Sequence, residues 1–108
     1  MMLRMDRSRQ ITAIASEQRL KILQLLADPY KHFGEQWSAD PVEFGVCMTL
    51  IAKALNIAQP TASRHLAILN AAGFIRVSKH QKWAYCKRDE AEIRDYVRWL
   101  EGQLSVKE

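Results

Sequence analysis

The sequence predicts a mainly helical chain that carries one two-stranded β-hairpin, in the order ααααββα. Three observations point there. Apolar residues recur at helical spacing in five separate blocks; two consecutive runs, Phe74–Lys79 and Lys82–Lys87, are rich in β-branched and aromatic residues; and Asp28-Pro29, Asn56 and Gly73 fall between the blocks. At 108 residues the chain is long enough for one domain with a modest core, so residues 1–108 are expected to form a single unit.

The first block, with Ile11, Ile14 and Ala15, predicts a short helix within residues 1–15. Ser16 is a capping residue and Glu17 an acid in the first turn; Leu20, Ile22, Leu23, Leu26 and Ala27 then form the apolar side of a buried helix. Asp28-Pro29 stops that helix, because the residue before proline is pushed out of the helical region. Residues 28–46 show no clean period, and with two prolines and two glycines they are expected to be a long loop, either functional or an inert insertion tucked down by Tyr30, Phe33, Trp37 and Phe44. A short helix is predicted over Cys47–Leu55 from Leu50, Ile51, Ala54 and Leu55. Asn56 tolerates the left-handed backbone of a helix end, so Asn56-Ile57-Ala58 is expected to turn tightly with Ile57 inward.

Pro60 opens the next helix, since a proline in the first turn loses no hydrogen bond. Ala62, Leu66 and Leu69 make its buried side, while Gln59, Pro60, Thr61, Ser63 and Arg64 project outward. Gly73 ends it. The two strands meet near His80-Gln81, giving a hairpin with a cationic tip from Lys79, His80 and Lys82. Asp89 and Glu92 have capping-box spacing, and Ile93, Tyr96, Val97, Leu100 and Leu104 run down a last helix over residues 89–104 as an apolar stripe that needs a cover.

Composition narrows the function classes. No run approaches the roughly 20 apolar residues of a membrane span, and the start MMLRMDRSRQ lacks a signal-peptide core, so a cytoplasmic protein is expected. Net charge is +4 and the pI about 9.3. Between Glu43 and Asp89 there is no acidic residue, whereas Lys53, Arg64, Arg76, Lys79, Lys82, Lys87 and Arg88 all fall there. Such a surface suits a polyanion, because neutralising phosphates with Lys and Arg is the main source of affinity for duplex DNA. An enzyme is not expected: no Gly-rich phosphate loop or metal-ligand cluster is seen, and Ser63, Arg64 and His65 point in three directions from one helix. No cofactor is expected either.

Short helix, tight turn, second helix with a polar and cationic outer face, then a basic hairpin: this is the layout of a winged helix-turn-helix, whose second helix fits the major groove. The residues Ser16-Glu-Gln-Arg-Leu-Lys-Ile-Leu-Gln-Leu-Leu26 and Ile51-Ala-Lys-Ala-Leu-Asn-Ile-Ala-Gln-Pro-Thr-Ala-Ser-Arg-His-Leu-Ala-Ile-Leu-Asn-Ala-Ala-Gly-Phe-Ile75 resemble the ArsR/SmtB family of bacterial winged-helix repressors, over most of residues 16–100. The resemblance implies a homodimer joined through its first and last helices, by Ile11, Ile14, Ile93, Tyr96, Val97, Leu100 and Leu104. It implies a palindromic DNA operator, contacted by Gln59, Pro60, Thr61, Ser63 and Arg64 with Lys79, His80 and Lys82 on the wing, and release by an inducer. The alternative is a winged module for protein interaction or sequence-indifferent DNA architecture, without a signal.

This chain departs from the family pattern at four places. Ala58 stands where a serine cap is usual, the hairpin tip lacks its glycine, the last helix has no histidine for a zinc site, and the Cys-x-Cys pair of arsenic sensors is matched by Cys47 and Thr49. No metal site is expected, and Cys47 with Cys86, or with His32, is kept as a thiol-sensor candidate; the competing reading is a pair of small buried hydrophobes.

Overall fold

In the computed structural model, residues 6–33, 36, 40 and 43–107 are described. Helix α1 (Arg7–Ile14) starts where the Asp6 carboxylate accepts from Ser8 N. Ala15, expected on its apolar stripe, lies past the last turn and is exposed. Helix α2 (Glu17–Ala27) is capped as expected by Ser16, which accepts from Arg19 N at 3.2 Å, and it sends Ile22, Leu23 and Leu26 into the core.

The Asp28-Pro29 pair does end α2, but the segment expected as a long loop over 28–46 begins with a helix. A five-residue helix, α3 (Pro29–Phe33), follows at once, with Asp28 Oδ1 accepting from Lys31 N at 3.3 Å. Proline at the first helical position has its φ preset and no N–H to lose, so the pair that closes one helix opens the next. Phe33 is buried, whereas Tyr30 and Phe44 are exposed; Trp37 lies outside the described residues.

A third strand also departs from expectation. β1 (Val46–Cys47) pairs antiparallel with β3 (Trp83–Arg88), which pairs with β2 (Ile75–His80), giving the order β1-β3-β2. Gly45 leads into it with φ +97°, and a Cβ there would stand 2.7 Å from the carbonyl oxygen of Cys86, so only glycine lets the two backbones approach. Cys47 accordingly ends β1 and precedes helix α4 (Met48–Leu55) rather than beginning it.

Helix α5 (Gln59–Ala71) is set against α4 by two local devices. Asn56 takes the left-handed conformation, φ 54° and ψ 47°, while Ile57 N donates to Ala52 O and turns the chain. At the far end Gly73 has φ +84°, Gly73 N donates to Asn70 O, and Phe74 N donates to Leu69 O. This is the paired hydrogen-bond pattern with which a glycine closes a helix. Ala62, Leu66 and Leu69 are buried as expected and meet Ile22, Leu26, Ile51, Phe74 and Ile75 in one core.

Both hairpin strands sit one residue further along than expected, so the turn is Gln81-Lys82, with Gln81 at φ 58° in the place a glycine would fill. Helix α6 (Glu90–Leu104) begins where Asp89 accepts from Glu92 N at 3.1 Å. Of its apolar stripe, Tyr96 turns into the chain's own core, edge-on to Phe74 at 5.2 Å; Ile93 and Leu100 are half-buried, and Val97 and Leu104 are exposed.

Candidate nucleic-acid interface

The outer face of α5 follows from its first turn. Ala58 offers no side-chain cap, and Gln59 and Pro60 open the helix with Pro60 in the position where its missing N–H is harmless. Because Ala62 and Leu66 hold the inner side, Gln59, Pro60, Thr61, Ser63 and Arg64 are left together on the outside, and all five are exposed. Gln59 Nε2 also donates to Thr49 Oγ1 at 3.3 Å, tying the start of α5 to α4. An exposed helix end bearing amide, hydroxyl and guanidinium groups has the donors and acceptors that base edges and phosphates require.

Lys79, His80 and Lys82 are likewise exposed, at the hairpin end. Lys82 Nζ sits 5.4 Å from the centre of the Trp83 ring, and the His80 ring lies 6.2 Å from Phe44, so the segment before β1 reaches the wing. The acid-free stretch is less uniformly cationic in space than along the chain. Arg76 pairs with Asp89 at 2.8 Å, and Arg88 pairs with Glu90 while donating to Leu23 O at 3.0 Å. Both carboxylates come from just beyond the interval. Lys53, Arg64, Lys79, Lys82 and Lys87 are exposed and form no salt bridge among the described residues.

His65 was not placed in the site by sequence reasoning. Its Nδ1 lies 3.1 Å from Arg19 Nη1, and Arg19 also donates to Ala13 O at 2.7 Å and Thr12 O at 2.9 Å. One guanidinium thus fastens the end of α1 to the flank of α5. Because Arg19 must donate, Nδ1 accepts and the proton sits on Nε2. Burial first, then the Arg19 and Arg64 cations, lower the pKa of this imidazole, keeping it neutral. No sequence period could find this contact, since its partners are 46 residues apart.

The thiols are neighbours. Cys86 is opposite Val46 in the β1–β3 ladder, one step from Cys47, and both are buried and free. Burial, with Cys47 beside it, pushes the Cys86 thiol up to about 12, so it stays protonated at neutral pH and is a weak nucleophile and ligand. His32 is exposed on α3, and among the described residues no group of three His, Cys, Asp or Glu side chains is placed to hold a metal ion.

The chain has relatives of known family and fold. Residues 47–77 match the family described as bacterial regulatory protein, arsR family. The chain is 38% identical over 92 residues to the uncharacterized HTH-type transcriptional regulator YbzH of Bacillus subtilis (strain 168), covering 85% of this chain and 92% of that one. Among solved structures, an ArsR family transcriptional regulator superposes with a TM-score of 0.69 at 20% identity, over 93% of this chain and 94% of its own. The homodimeric winged helix-turn-helix DNA-binding domain Mb0332 from Mycobacterium bovis gives 0.62 at 23% identity, over 94% and 84%. The helix-turn-helix, its wing and the relative that matches nearly end to end lead to one conclusion: this chain is a winged helix-turn-helix DNA-binding protein of the ArsR family of bacterial transcriptional regulators.

Proposed function

We propose that the chain acts in the cytoplasm as a homodimeric repressor that holds a palindromic operator and leaves it when an inducer binds. The observation that carries the DNA contact is the exposed Gln59, Pro60, Thr61, Ser63 and Arg64 face, flanked by Lys79, His80 and Lys82. In this reading α5 enters the major groove, with Arg64 and Gln59 reaching base edges, Thr61 and Ser63 fixing register, and the wing cations neutralising the neighbouring backbone.

Dimerisation is supported by the unspent apolar surface of α1 and α6. Ile11 is 46% exposed, Val97 46% and Leu104 68%, beside half-buried Ile14, Ile93 and Leu100. Large apolar side chains clustered at the surface of a small domain indicate a protein partner. A second copy supplies the same faces in return and places two α5 helices about one DNA turn apart. Tyr96, turned inward, supports the dimer from beneath rather than touching the partner. Repression and inducer release follow from the family resemblance.

The test is to recover DNA fragments bound by the protein in its native organism and challenge the complex with random-sequence competitor. A shared palindrome that survives the competitor is expected. Fragments without a common site, or a complex lost equally to any duplex, would instead support a sequence-indifferent architectural role.

A further inference from the structure

We propose that the groove between α1 and α5 is a second DNA contact, in which one sugar-phosphate strand runs beside the recognition helix and Arg9 binds a phosphate. The inference rests on the reading of α5 as the helix that meets DNA.

An open groove of about 420 Å³ is lined by Asp6, Ser8, Arg9 and Thr12 on α1 and by Ile68 and Ala71 on α5. Ile68 and Ala71 stand four and seven positions beyond Arg64, on the same side of the helix. The groove therefore continues the surface that carries Arg64. Its α5 wall is apolar, suited to the carbon face of a deoxyribose; its α1 wall supplies a cation and two hydroxyls, suited to phosphate oxygens.

Helix α1 divides its chemistry by side. Arg7 is turned onto α6, where it pairs with Asp95 at 2.9 Å and lies 5.1 Å from the centre of the Trp99 ring. Two residues later, about 200° around the helix, Arg9 is exposed on the groove side and forms no salt bridge among the described residues. The apolar Ile11 is not part of the groove lining. A polar, cationic wall suits a polyanion, whereas the Ile11 side suits a second copy of the chain. Asp6 is the adverse charge in the groove, and its carboxylate is engaged in capping α1 by accepting from Ser8 N at 2.9 Å.

The two walls are also held in place. Gln10, fully buried, donates from Nε2 to Ala72 O at 3.1 Å, pinning α1 to the end of α5. Arg19 pins the Thr12 and Ala13 carbonyls beside His65. A phosphate contact at Arg9 is thereby aligned with α5 before DNA arrives, which reduces the ordering cost of binding.

The experiment measures affinity of the full chain for a recovered operator and for a scrambled duplex of equal length, across a series of salt concentrations. Arg9→Ala is expected to weaken both complexes several-fold by the same factor, and to make the slope of log K against log salt shallower by about 0.9 per chain. Arg9→Lys keeps the wild-type slope. Arg94→Ala, the same charge change at an exposed α6 position outside the groove, also leaves the slope unchanged. A wild-type slope in Arg9→Ala, an equal flattening in Arg94→Ala, or an effect of Arg9→Ala on dimerisation instead of DNA would overturn the proposal. Salt-independent binding by the wild type would overturn the recognition-face reading itself, and the groove with it.

Discussion

The helix-turn-helix, residues 47–77, and the short segment around Gly45 and β1 follow opposite kinds of logic. In the helix-turn-helix each feature has a local cause: Asn56 turns left-handed, Pro60 starts a helix, Gly73 ends it, and Ala62, Leu66 and Leu69 face inward. Around Gly45 and β1 the causes are distant. Gly45 fits because the Cys86 backbone is beside it, and β1 exists because β3 offers an edge. Gln36 accepts from Cys47 N at 2.7 Å and donates to Gly45 O at 3.2 Å, satisfying backbone groups flanking Val46. Local rules thus shape the helix-turn-helix, and tertiary contacts shape the segment that braces it.

The largest effect expected from breaking this contrast is at Gly45. Gly45→Ala combines a backbone clash with a left-handed φ and is expected to cost roughly 3 kcal/mol, measured as a shift in the urea unfolding midpoint; a loss within 0.5 kcal/mol would mean that β1 does not approach β3 so closely. Gln36→Ala comes next. Leaving one N–H and one carbonyl without their partner is expected to cost about 1–2 kcal/mol, and a neutral outcome would remove the bracing role. Ala58→Ser sharpens the other half of the comparison: a restored cap at the head of α5 is expected to raise stability by about 1 kcal/mol. If thermal unfolding shows no gain, the start of α5 is governed by its tertiary contacts after all.

The smallest effect concerns pH. In the unfolded chain His65 takes up a proton near its ordinary pKa of about 6.5, whereas in the folded chain burial and two arginines depress it. The unfolded state therefore binds more protons in that window. This contribution to stability is complete above about pH 6.5 and is lost as pH falls from there through the lower folded value. His65→Gln is expected to flatten that part of the Tm profile, and an unchanged profile would show that burial and the two arginines do not depress the imidazole.

What could be read from residues alone divides along the same line. Five helix ends were legible or half-legible because Ser16, Asn56, Pro60, Gly73 and Asp89 act within a few residues of themselves. Pro29 shows the limit: its stop signal was clear, while its role in starting α3 was missed although Pro60 obeys the same rule. Two-residue β1 is too short for any period, and Gln81 hides its turn because it is not a glycine. The outer face of α5 was legible since it is the complement of an apolar side. Arg76 and Arg88 were overcounted because charge along a chain does not show which carboxylate folds back onto it. Gln10 and His65 were invisible, each defined by partners dozens of residues away.

The central claim is that the Arg64 side of α5 touches DNA, and comparing wild type with Arg64→Ala on a recovered operator tests it most directly. The account predicts a loss of about 1–3 kcal/mol in operator affinity, smaller on scrambled duplex, with the oligomeric state and thermal stability unchanged. Wild-type affinity in the variant would contradict it.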